Sequence, residues 1–354
     1  MLLCDVKRSS RFPLPFSADL RKNRAASMER RAPRPLVLPD DCNYVAAFLT
    51  LGCNLTCSYC INHLSGQARK AAPMKGRDWI AGLNRLALTS DLPVTLQGGE
   101  PSLHPHFIDI ILGLDARIGI DILTNLQFDT DRFIERVPAD RLNRDAPYAP
   151  IRVSYHPETM SLEPTLDKVE ALMTAGFQVG LYSVDNDRFQ PEIQRARQIA
   201  GDRGIDFRMK DMLGPDGTRA RYKYPDATGG ATARQCRCRT TELLISPSGR
   251  VHRCHHDLYN GILPLGSILD DDLEIENVFR DCSFYGSCNP CDVKIKNNRH
   301  QIFGHTSVEI IDIAPESTRS TGSSAMQWVG LEQVGLRHGA HEKSAAGASQ
   351  RPRP

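Results

Sequence analysis

Three cysteines fall within eight residues in Cys53-Asn-Leu-Thr-Cys57-Ser-Tyr-Cys60, a C-x3-C-x2-C spacing. Three thiolates packed this closely can wrap one corner of a [4Fe–4S] cluster and ligate three of its irons. The fourth iron then lacks a protein ligand, and an open position is what separates a catalytic metal site from a closed structural one. Zinc normally takes four ligands, usually in C-x2-C pairs, so an isolated trio suits it poorly. A second group comprises Cys236, Cys238, Cys254, Cys282, Cys288 and Cys291, and it is too patterned for chance packing. Paired cysteines of this kind suit an auxiliary iron–sulfur cluster or a zinc clamp that staples a small domain. His252, His255 and His256 flank Cys254, as ligands or as hydrogen-bond partners of cluster sulfurs. Cys4 and Cys42 lie outside both groups and read as incidental thiols.

The rest of the composition narrows the class. At roughly 150 residues per domain, 354 residues correspond to about two domains. Hydrophobic residues make up 40% of the chain and charged residues 24%, enough for a sizeable core. Forty-four Lys and Arg against forty-two Asp and Glu leave a formal charge of +2, too balanced to suggest a nucleic-acid or membrane partner. No run of 18 apolar residues exists to span a bilayer. The basic N-terminus has no apolar stretch long enough for a signal peptide. An odd count of eleven cysteines in tight clusters, without an export signal, speaks against a secreted disulfide scaffold and for the cytoplasm.

The elements that must carry these residues follow from hydrophobic periodicity. Residues 1–39 read as a disordered basic arm, since the first 36 hold nine Lys and Arg against three Asp and Glu. Strands are expected at Tyr44–Leu51, Pro93–Gln97, Ile120–Thr124, Ile151–Tyr155, Phe177–Val184 and Ile205–Lys210. Helices are expected at Arg77–Thr89, His106–Arg117, Asp129–Arg136, Glu163–Ala175 (ended by Gly176) and Glu192–Asp202. This βα alternation predicts an α/β fold, a partial (β/α)6 parallel barrel over residues 40–213. Active sites of such folds collect at the carboxyl ends of the strands, and the cysteine trio directly follows the first strand. A loop from residue 214 opens a small cysteine-rich auxiliary domain reaching residue 313. It carries a β-hairpin (Thr241–Ser246 and Arg250–Cys254) and a short helix at Leu273–Arg280. Residues 314–354 read as a disordered tail.

The trio after a first strand, with Tyr59 just before its last cysteine, resembles the radical S-adenosylmethionine (SAM) superfamily. A second mark is Gln97-Gly98-Gly99-Glu100-Pro101 at the end of the second strand, which resembles that family's GGE motif. The hairpin with Gly249 at its turn, ending in Cys254, resembles the start of the SPASM and Twitch extensions found behind many such barrels. Those extensions bind auxiliary clusters. Cys282-x5-Cys288-x2-Cys291 departs from the full two-cluster pattern, which favours one cluster in a Twitch-like domain.

The resemblance implies that Cys53, Cys57 and Cys60 hold a [4Fe–4S] cluster whose open iron takes SAM. It implies that Tyr59 lies near the adenine, and that Gly98, Gly99 and Glu100 meet the methionyl amino group. Glycines allow close backbone approach, and a carboxylate pairs with an ammonium. Asn125, next to Thr124, and Ser154 resemble positions used near the ribose and carboxylate. The implied second [4Fe–4S] cluster is held by Cys238, Cys254, Cys288 and Cys291, with Cys236 and Cys282 as substitutes. The implied reaction is reductive cleavage of SAM to a 5′-deoxyadenosyl radical that abstracts hydrogen from a small metabolite or ribosomal peptide, with an oxidation as the expected outcome. It needs a reducing partner such as flavodoxin or ferredoxin. Arg208, Lys210 and Asp211 at the sixth strand's end are candidates for binding a polar substrate. His156, followed by Pro157, reads as a loop residue. Two other readings stay open: an activating enzyme for a partner protein, and a zinc- or cluster-binding interaction protein without turnover.

Overall fold

Val45, Ala47 and Leu49 alternate with Tyr44, Ala46 and Phe48, and all six are buried. A segment with that pattern is a strand covered on both faces. The same holds along most of the chain described by this computed structural model, which covers residues 34–60, 62, 72–88, 92–210, 212, 234–285 and 308–314. All of these belong to the unit Met1–Pro315. Its strands are β1 (Leu36–Val37), β2 (Tyr44–Thr50), β3 (Leu86–Ala87), β4 (Val94–Gly98), β5 (Ile120–Thr124), β6 (Ile151–Tyr155), β7 (Val179–Val184), β8 (Asp206–Lys210), β9 (Arg234–Thr240), β10 (Glu242–Ile245), β11 (Arg250–His252), β12 (Gly266–Ser267), β13 (Arg280–Tyr285) and β14 (Val308–Ile311). Its helices are α1 (Gly76–Leu83), α2 (Phe107–Gly113), α3 (Thr130–Arg136), α4 (Leu162–Thr174), α5 (Gln190–Asp202) and α6 (His255–Asn260).

Among the described residues the main sheet runs β12-β11-β10-β2-β4-β5-β6-β7-β8. Neighbours from β2 to β8 are parallel, joined in turn by helices, which makes this an α/β fold with a mostly parallel sheet. One face of the sheet, through Val45, Leu96, Ile122, Val153 and Leu181, packs on Trp79, Phe107, Phe133, Leu166 and Ala196 of the helices. On the other face Tyr44, Ala46, Phe48 and Leu244 pack against Leu258 and Tyr259 of α6. Because β10 pairs in parallel with β2, the hairpin β10–β11 extends the main sheet across the boundary expected at residue 214. A separate sheet, β13-β9-β14, carries Cys236, Cys238 and Cys282.

Several expectations need correction. The helix expected at Leu273–Arg280 is extended chain leading into β13. Leu273 and Ile275 pack on the core while Glu274 and Glu276 are exposed, so the true period is two rather than 3.6. The helix expected to reach Thr89 stops at Leu83. There Arg85 turns inward to donate to the carbonyls of Arg34, Ile268 and Asp270, and Leu86 enters a strand pair with Leu36. That pairing also ends the arm earlier than residue 39, since Leu36 and Leu38 are core residues. The helix begun at Phe107 stops at Gly113 instead of Arg117, where a side chain would collide with Ile80 of α1. Asp129 caps α3 by accepting from the Arg132 N–H at 3.0 Å. Gly176, φ +91°, follows the end of α4 as the left-handed residue expected there. No helix among the described residues is long and apolar enough to cross a membrane.

Candidate active site

The cysteine trio lies on the loop that leaves β2. Two backbone bonds press this loop against the exit of β4: Gly99 N–H to Thr50 O and Glu100 N–H to Gly52 O, both 2.8 Å. The contact is so close that a Cβ at Gly98 would overlap the Thr50 carbonyl oxygen, and one at Gly99 would overlap that of Gly52. Gly98 also has φ +151°, which side chains disfavour. The glycines therefore serve first to dock two strand ends, a reason the motif alone did not disclose. Asn62 closes the loop by donating to Gly98 O at 3.0 Å.

The far side of the loop is tied to residues following β6. Cys57 Sγ lies 3.3 Å from Thr159 Oγ1, and the Ser58 N–H donates to Glu158 Oε2 at 2.7 Å. Tyr59 Oη lies 3.1 Å from His156 Nδ1, and its ring packs beside those of His156 and Phe189. Burial, and after it the neighbouring Cys60 and Cys53, push the Cys57 thiol up to about 11, against the Thr159 hydrogen bond. Burial drives His156 down to about 4, so the ring is neutral at ordinary pH.

Glu100 joins two strand ends. Its side chain is fully buried and is not among the residues lining the cavity described below. It accepts from Ser102 N–H (3.0 Å), Thr124 Oγ1 (2.8 Å) and Asn125 N–H (2.7 Å). Burial raises its carboxyl above the usual range while those donors pull it back. Glu100 thus welds the end of β4 to the end of β5. This positions Asn125, whose amide donates to Asn54 Oδ1 at 2.7 Å and lies 3.7 Å from Cys53 Sγ.

These ties enclose a cavity of about 250 Å³ at the carboxyl ends of the strands. It brings together Cys53, Cys57, Cys60, Tyr59, Gly98, Gly99, Asn125 and Ser154. Lys210 lines it as well; Arg208 does not, being held by Asp206 and the Pro147 carbonyl. Asp211 lies outside the described residues. Sequence reasoning missed His156, Gln97, Phe48 and Tyr259, which also line the cavity. His156 carried a weak signal, a polar residue just past a strand end, whereas Tyr259 comes from a distant helix. Among the described residues no three His, Cys, Asp or Glu side chains converge on one point as ligands of a single ion do. A cube asks for something else. Each thiolate takes a separate iron, so three soft donors spread around a common cavity fit it.

Of the second cysteine group, Cys236, Cys238, Cys254 and Cys282 are described; Cys288 and Cys291 lie outside the described residues, so half of the expected ligand set does too. No described cysteine is in a disulfide. Cys282 stands opposite Cys236 across β13 and β9. Hydrogen bonds from Cys236 and Cys238 pull the Cys282 thiol below its ordinary range, and the Cys282–Cys238 bond pushes Cys238 above it. Cys254 caps α6, its sulfur accepting from the Asp257 N–H at 3.5 Å. Arg253 clamps the group, with Nε 2.9 Å from Asp257 Oδ2 and Nη2 donating to Asp281 O at 3.1 Å. His255 Nδ1 lies 3.2 Å from Glu242 Oε2, His256 packs on Phe284, and His252 Nδ1 lies 3.1 Å from Ile262 O.

Residues 48–208 match the model of the Radical SAM superfamily. Over 76 residues the chain is 36% identical to the PqqA peptide cyclase of Gluconobacter oxydans (strain 621H). That stretch is 22% of this chain and spans about a fifth of the relative, 21% of its length. Among solved structures, native anSMEcpe with bound AdoMet and Kp18Cys peptide aligns over 67% of this chain and 78% of its own, at TM-score 0.47 and 13% identity. Native anSMEcpe with bound AdoMet aligns over 67% of this chain and 79% of its own, at TM-score 0.44 and 13% identity.

Proposed function

We propose that this chain, an enzyme of the radical SAM type with the superfamily's domain at residues 48–208, cleaves SAM reductively to modify a small metabolite or a peptide. The observation that carries this reading is the single cavity lined by Cys53, Cys57 and Cys60 together with Tyr59, Gly98, Gly99, Asn125 and Ser154. In this reading the three thiolates hold a [4Fe–4S] cluster, and the strands curl as a partial barrel around the cavity. When bound, that group supplies the electron that splits the sulfonium of SAM into methionine and a 5′-deoxyadenosyl radical, which takes a hydrogen atom from the substrate.

The protein's own residues bind, orient and exclude water. Glu100 holds the ends of β4 and β5 so that the Gly98–Gly99 backbone and Asn125 face the methionyl end of SAM. Tyr59, fixed by His156, flanks the adenine. The buried walls protect a radical that solvent would quench. The second thiol group would hold an auxiliary [4Fe–4S] cluster in a Twitch-like region that includes Cys238 and Cys254, and that group would supply an electron acceptor for an oxidation. The clustered thiols support a cytoplasmic site of action, with reduced flavodoxin or ferredoxin as electron donor. The peptide branch of the substrate proposal draws on the PqqA peptide cyclase match.

Anaerobic reconstitution tests this. About eight irons per chain are expected for two cubes, and about four irons plus zinc would reassign the second group to a clamp. Cys57→Ala is expected to abolish 5′-deoxyadenosine formation from SAM under dithionite. Undiminished formation by that variant would refute the assignment of the trio.

A further inference from the structure

The turn that follows β6 touches three successive residues of the cysteine loop. Thr159 Oγ1 lies 3.3 Å from Cys57 Sγ, Glu158 Oε2 accepts the Ser58 N–H at 2.7 Å, and His156 Nδ1 lies 3.1 Å from Tyr59 Oη. The pairs run in opposite order along the two segments, and the turn contributes a side chain to each. Its own shape does not depend on the loop. The N–H groups of Thr159 and Met160 both donate to the His156 carbonyl, at 3.0 and 2.9 Å. The His156 N–H points at Met160 Sδ at 3.4 Å, and Met160 packs in the core. Helix α4 starts just beyond, at Leu162. A fixed frame therefore delivers the Thr159 hydroxyl to Cys57 across 102 residues of chain. Among the described residues, Cys57 Sγ is the hydrogen-bond partner of that hydroxyl.

Cys57 is the buried member of the trio, while Cys53 and Cys60 are half-buried. At 6% exposure its residue leaves water little access to compete for the sulfur. Cys53 Sγ is served differently, by the Leu55 N–H of its own loop at 3.4 Å and by the Asn125 amide at 3.7 Å. In the free thiol either Cys57 or Thr159 can donate. A thiolate carries no proton, so once Cys57 is a ligand the hydroxyl is the donor of the pair. A bond to an ionised acceptor is charge-assisted, and a site shielded from water strengthens it. Reduction of a [4Fe–4S] group takes one electron from the reductant, makes and breaks no bond, and puts part of the added charge on the ligating sulfurs. The hydrogen bond therefore favours the reduced form, and hydrogen bonds to the sulfurs are among the features that set such potentials.

We propose that Thr159 is a positioning residue of the first site: its hydroxyl donates to the Cys57 thiolate and makes the cluster held there easier to reduce. This rests on the reading of Cys53, Cys57 and Cys60 as ligands of a [4Fe–4S] cluster. It adds to that reading a side chain that binds no metal itself and acts through a ligand, on the electron uptake that SAM cleavage requires.

The test is a redox titration of anaerobically reconstituted full-length protein, without SAM, followed by electron paramagnetic resonance. The first site's signal is the one that Cys57→Ala lacks. Thr159→Val keeps the shape of the side chain and removes the hydroxyl, whereas Thr159→Ser keeps the hydroxyl. In Thr159→Val the ratio of reduced to oxidised cluster at a fixed potential is expected to fall threefold or more, a midpoint lower by about 28 mV at about 59 mV per tenfold for one electron. Thr159→Ser is expected to stay within that margin of the parent, and any signal from the second thiol group to keep its midpoint in both variants. A Thr159→Val midpoint within the margin, a rise, or a Thr159→Ser midpoint displaced as far would overturn the proposal. Should Thr159→Val bind no iron at the first site, Thr159→Ala is titrated in its place, and loss of that iron in both would overturn the tuning. Failure of the underlying reading shows separately, as a parent spectrum that Cys57→Ala leaves unchanged, whatever the Thr159 variants do.

Discussion

Around Cys53, Cys57 and Cys60 the thiols ride on a loop held by main-chain bonds on the β4 side and by side chains on the β5 and β6 sides; around Cys238 and Cys282 they ride on an antiparallel strand pair whose thiols also bond to one another. In the first region the N–H groups of Gly99 and Glu100 bond the loop's carbonyls, and the Glu100 carboxylate bonds the end of β5. In the second, the ties are the backbone ladder between β9 and β13, a cross-strand thiol group and the buried Arg253–Asp257 pair. Main-chain docking of a loop depends less on individual side chains, which fits the open site proposed for the first region. Thiols that hold one another depend on specific side chains, which suits a site closed on all sides.

That difference can be broken from either end. The largest effect is expected from Arg253→Ala, which leaves Asp257 buried without its partner at 3% side-chain exposure. Breaking a pair of this kind costs about 3 kcal/mol, read by denaturant unfolding. A negligible change would mean that the strand ladder alone holds the second region. Gly99→Ala should cost about 1–3 kcal/mol through overpacking, since the added methyl meets the carbonyl oxygens of Gly52 and Leu51. It should also lower iron bound at the first site while leaving the second site's complement unchanged; equal loss at both would erase the distinction. The smallest effect sharpens it. His104, on the turn after Glu100, accepts the His106 N–H at Nδ1 (3.2 Å) while Nε2 faces Met74 O (2.9 Å). Burial lowers its pKa, disfavouring the charged ring in the folded protein. Its contribution is complete above the unfolded value of about 6.5 and is lost as pH falls below it. His104→Leu should flatten the acid limb of a stability–pH curve, and an unchanged limb would assign it to other groups.

Much of the first site was legible because it is local. Cys53, Cys57 and Cys60 share one octapeptide, and the Gly98–Gly99–Glu100 turn follows a strand whose alternation is clear. Strands at Ile120–Thr124 and Ile151–Tyr155 match their expected bounds, since each is short and alternates apolar with polar residues. Leu273–Arg280 misled because Ile275, Val278 and Phe279, at i, i+3 and i+4, fit a helical spacing over so few residues. β9 went unnoticed because Cys236 and Cys238 drew attention as ligands, while their alternation with exposed Arg237 and exposed Gln235 was the strand signal.

The sequence by itself determined the α/β alternation, the thiol spacing and the glycines, because each depends on residues near one another along the chain. Only the tertiary structure decided that Glu100 bonds the end of β5, that His156 and Tyr259 line the cavity, and that Gln97, Arg152 and Tyr182 share one face. Those outcomes depend on strand order and register, which bring residues from four or five separate strands and helices to one place, and no local pattern encodes where distant segments meet.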